Sequence, residues 1–79
     1  MQITKNSLDL FLAYAEDADN WSGSPLVGGN VCSTKEDRGN LTQLKRAGLI
    51  TTFKEDGDTW INFTSEGKKL AAEHGIEIF

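Results

Sequence analysis

The chain has 79 residues, 38% hydrophobic and 25% charged, with a formal net charge of −4 at pH 7. A chain this short makes one domain with one small core, in which a few large apolar side chains carry much of the burial. Its single cysteine, Cys32, excludes an internal disulfide and a thiolate metal cluster, and its acidic total argues against a nonspecific nucleic-acid coat.

The N-terminal stretch MQITKNSLDLFLAYAEDADN has too short an apolar run for a signal peptide, and no segment reaches transmembrane length. A soluble cytoplasmic chain with no membrane partner is the expectation. Leu8, Phe11, Leu12 and Ala15 fall at i, i+3, i+4 and i+7, which predicts a first helix over about residues 7–17. Asn6 or Ser7 would cap it, and its other side would be acidic and solvated.

Residues 20–30, NWSGSPLVGGN, hold three glycines, a proline and two serines. Ser24-Pro25 suits an N-cap followed by the first helical position, and Gly29 can end a single turn. A one-turn second helix carrying Leu26 and Val27 is therefore the favoured expectation. An extended strand around Trp21 or over residues 25–27, paired with the edge of the later hairpin, is the competing one. Trp21 is expected to plug the edge of the core.

GGNVCSTK then runs into a helix N-terminus, but no Gly-Lys-Ser/Thr follows at Walker spacing, so nucleotide binding is not expected. A DNA backbone phosphate at that helix end fits better. Ser33-Thr34-Lys35-Glu36 matches a capping box, and the helix it opens is predicted to run to about Ala47, with Gly48 just past its end. Leu41, Leu44 and Gly48 mark the buried side. At about 100° per residue, Lys35, Gly39, Thr42 and Arg46 lie opposite, flanked by Arg38 and Lys45. Residues 33–54 set five cations against Glu36 and Asp37, whereas both flanking segments are acidic.

Strand formers on either side of Asp56-Gly57 predict a β-hairpin over residues 49–64. Centring the turn there places Lys54 opposite Thr59, Phe53 opposite Trp60, Thr52 opposite Ile61 and Ile50 opposite Phe63. Ile50, Ile61 and Phe63 then face the core, while Phe53 and Trp60 share the other side. A last helix follows, capped by Thr64 or Ser65 and ended by His74-Gly75-Ile76, a left-handed cap with its hydrophobic contact. The alternating tail, residues 76–79, is expected to pack as a short strand or an arm, over Phe53 and Trp60 or against a second subunit.

LTQLKRAGLITTF (41–53) followed by WINFTSEGKKLA (60–71) resembles bacterial winged helix-turn-helix regulators of the MarR and PadR type over residues 33–74. The resemblance implies an α+β winged-helix fold: first helix, short second helix, third helix, hairpin wing, fourth helix, all in one domain over residues 1–79. It also implies a recognition helix at 34–47, a wing tip at 54–59 and a small transcriptional regulator or accessory factor that binds double-stranded DNA. The wing tip, KEDGDT, is acidic, and there is no long dimerisation helix.

Lys35, Arg38, Lys45 and Arg46 are the expected phosphate contacts; Thr34, Thr42 and Gln43, with Arg38 or Asn40 beside them, have the chemistry for base edges. The alternative is a protein-interaction winged helix using Phe53 and Trp60, with a homodimer or protein partner held through the hairpin or tail. Cys32 and His74 are far apart in sequence, the carboxylates form solvated runs, and no metal-ligand spacing appears, so no enzyme activity, cofactor or metal is expected.

Overall fold

The computed structural model describes residues 3–29, 31 and 35–78. Helix α1 spans Lys5–Asp17 and continues into a 3-10 turn, Ala18–Trp21; helix α2 spans Lys35–Arg46. Strands β1 (Ile50–Glu55) and β2 (Asp58–Phe63) form an antiparallel hairpin, and helix α3 spans Ser65–Glu73. The class is α+β, with three α-helices among the described residues rather than the four expected.

Thr4, not Asn6 or Ser7, caps α1: its hydroxyl accepts the Ser7 backbone N–H at 3.1 Å. The buried face is also turned from the one expected. Ser7, Leu10, Phe11, Tyr14, Ala15 and Asp17 are buried, while Leu8 and Leu12 lie partly buried at its border. The turned face works because its polar atoms have partners. The Ser7 hydroxyl donates to Asn40 Oδ1 at 3.1 Å, and Asp17, only 6% exposed, accepts from Trp21 Nε1 at 2.9 Å and Asn20 Nδ2 at 3.0 Å.

No helix forms over residues 24–29. The Ile61 N–H donates to the Pro25 carbonyl at 3.0 Å, the Val27 N–H donates to the Thr59 carbonyl at 2.9 Å, and Leu26 sits opposite Trp60. The Ser24 hydroxyl adds a bond to Asn62 Oδ1 at 2.9 Å. An isolated helical turn fixes several residues for one hydrogen bond, whereas the open edge of β2 supplies two backbone bonds at once. The competing extended reading is the one observed.

The hairpin has the expected register, from Ile50 opposite Phe63 to Lys54 opposite Thr59. Asp56 and Gly57 both take positive φ, 53° and 83°, as a type I′ turn requires. Ile50, Ile61 and Phe63 are buried, and Phe63 meets Phe11 edge to face at 5.6 Å. Leu41, Leu44, Leu49 and Ala71 complete the core from α2, the α2–β1 connection and α3.

Thr64 caps α3 by accepting the Gly67 N–H at 3.0 Å, and its hydroxyl lies 2.6 Å from the Gly48 carbonyl and 3.0 Å from that of Leu49. The far end closes as expected, with the Ile76 N–H donating to the Ala71 carbonyl at 2.9 Å and Ile76 packed on the core. Residues 76–78 form no strand; Ile76 and Glu77 line a shallow depression with Ala15, Glu16 and Asp19, beside the end of α1.

Candidate nucleic-acid interface

Two anchors fix how α2 faces the rest of the chain. Leu41 and Leu44 enter the core, and the polar side chains of Asn40 and Gln43 beside them bind the start of α1. Gln43 Oε1 accepts the Thr4 backbone N–H at 2.7 Å, and Asn40 accepts the Ser7 hydroxyl while its Nδ2 lies 3.5 Å from Asp37 Oδ1. Gln43 and Asn40, expected as base readers, are therefore engaged with α1. Sequence reasoning missed this because their partners lie more than thirty residues away.

With that face committed, Lys35, Arg38, Gly39, Thr42, Lys45 and Arg46 are all exposed. On a helix of about 3.6 residues per turn they fall within an arc of roughly 120°. Glu36 and Asp37 lie outside that arc, so the four cations face solvent together. Thr42 donates its hydroxyl proton to the Arg38 carbonyl at 3.0 Å, leaving its oxygen as an acceptor. Lys45 and Arg46 occupy the last turn, where the helix dipole favours positive charge.

Gly48 ends the helix in the left-handed region, φ 77°, with the Leu49 N–H returning to the Leu44 carbonyl at 3.1 Å. It is exposed rather than buried; the position requires its backbone conformation. The capping box at 33–36, the Thr34 contact, the phosphate site at the helix start and Cys32 involve residues 32–34, outside the described residues.

No protein-family model matches the chain, nor does any curated protein or solved structure.

Phe53 and Trp60, the alternative interface, are both half-buried on the outer side of the hairpin. Trp60 is covered in part by Trp21, whose ring meets it edge to face at 5.4 Å and 68°. Trp21 thus packs on Trp60 at the outer face of the sheet, steered there by its bond to Asp17 four residues earlier, instead of plugging the edge of the core. That i, i+4 spacing was the available signal. A surface depression of about 220 Å³ lies between Ala18, Asp19, Ser22 and Gly23 and the tail residues Glu77 and Ile78, and its charged groups are carboxylates. His74 is exposed at the end of α3. Among the described residues no three His, Cys, Asp or Glu side chains converge as a metal site, and no helix is long and apolar enough to cross a membrane.

Proposed function

We propose that the chain binds double-stranded DNA through the exposed face of α2, as a small winged-helix regulator or accessory factor. The observation that carries this reading is the arc holding Lys35, Arg38, Lys45 and Arg46, clear of the carboxylates of the same helix. Position counts for more than the total of −4, because exposed charges act mainly within a Debye length of about 8–10 Å. A single α-helix also has the width to enter a major groove.

Lys35 and Lys45 contact phosphates, and Arg38 and Arg46 contact phosphate or the guanine edge, for which a guanidinium fork is suited. Thr42 is the remaining neutral group on the arc. The acidic wing, with Glu55, Asp56 and Asp58 exposed, stays off the backbone. One copy makes few contacts, so tight specific binding needs self-association or a protein partner. The Phe53–Trp60 face is the weaker contact surface because Trp21 already covers part of it.

Counterion release tests the reading. With three or four phosphates neutralised, log K for a mixed-sequence duplex should fall with log salt at a slope of about −3, measured by fluorescence anisotropy between low and moderate salt. A slope near zero, or no binding at low salt, would contradict it.

A further inference from the structure

Seven of the eight glycines have a reason to be glycine within the chain itself. Five take positive φ, and at Gly29 and Gly67 an added Cβ would crowd Leu26 and Leu49. Gly39 has neither feature: it lies inside α2 with no positive φ, and an added Cβ there meets no atom within 4 Å. Glycine in a helix interior is unfavourable relative to alanine, so this position weakens α2 without any compensating internal contact.

Its neighbours give the missing side chain a use. Lys35 lies one turn before Gly39 on the same face, Thr42 one turn after and Arg46 a further turn on, with Arg38 alongside. The result is a bare strip of helix backbone at the edge of the cationic arc, with Lys35, Arg38 and Arg46 on one side and Glu36 and Gln43 on the other. We infer that Gly39 is the point of closest approach to the duplex, a notch that seats a sugar–phosphate segment against the α2 backbone while Lys35, Arg38 and Arg46 close on its phosphates. This rests on the DNA-binding reading. It adds that contact depends on the absence of a side chain as well as on the presence of charge.

The test is Gly39→Ala, with wild type and Arg38→Ala measured alongside on the same mixed-sequence duplex. Alanine should raise Tm by roughly 5 °C, because the helix gains propensity and nothing is crowded. It should also weaken duplex binding about tenfold with the salt slope unchanged, since no charge is removed. A variant that is more stable and binds as tightly as wild type, while Arg38→Ala binds more weakly, would overturn the notch and leave the DNA reading standing. No binding by wild type would overturn both. A Gly39→Ala chain with a lowered Tm would show that the glycine serves the fold, and would also overturn the proposal.

Discussion

Gly67→Ala should lower the Tm by roughly 15 °C, corresponding to a loss of about 3 kcal/mol in a domain of this size. A Cβ at Gly67 would sit 2.0 Å from the Leu49 carbonyl oxygen and 3.0 Å from its carbon. That oxygen cannot retreat without consequence, because it accepts the Thr64 N–H at 3.1 Å and lies 3.0 Å from the Thr64 hydroxyl. Leu49 is itself fully buried. The strain therefore has two outlets. Either the first turn of α3 lifts and loses its cap, or Leu49 shifts and disturbs the core. Total stabilities near 5–15 kcal/mol make either a large fraction of the whole. A thermal melt within a degree or two of wild type would show that this junction is soft and that the account of how α3 docks is mistaken. The same reasoning gives the Thr-x-x-Gly pattern of residues 64–67 its physical meaning: threonine caps the helix and glycine lets it approach a carbonyl.

The largest effect on binding is expected from Arg38→Glu combined with Lys45→Glu. Two phosphate contacts are lost and two repulsions take their place, so affinity for the duplex should fall at least about 100-fold at low salt. Both side chains are exposed, and stability should change little beyond the helix-dipole cost of an acid in the last turn, about 0.3–1 kcal/mol. The companion variant, Lys68→Glu with Lys69→Glu, makes the same change in total charge on exposed positions of α3. It should retain most of the wild-type affinity. Equal losses in the two variants would mean that binding follows net charge and that α2 has no special part in it.

Much of this molecule is legible in local sequence. Asp56-Gly57 fixes the hairpin register because a two-residue type I′ turn leaves no freedom in pairing, and the inward placement of Ile50, Ile61 and Phe63 follows from strand alternation. Thr64 and Gly75-Ile76 mark the ends of α3 for equally local reasons. The exposed cations of α2 follow from helical period once Leu41 and Leu44 are taken as core. What local reading could not supply is tertiary competition. Ser24-Pro25 has the chemistry of a helix start, but the edge of β2 draws the segment into extended pairing. Asn40 and Gln43 have the chemistry of base readers, yet Ser7 and Thr4 hold them. Asp17 reads as a solvated acid, yet the indole of Trp21 and the amide of Asn20 make its burial affordable.

Contact of duplex DNA along α2 can be read residue by residue in an amide-proton NMR titration with a mixed-sequence duplex at low and then moderate salt. Shifts should concentrate in Lys35–Arg46, be largest around Gly39, and diminish as salt rises. Unchanged spectra at low salt, or shifts centred on α3 or the Phe53–Trp60 face, would contradict it.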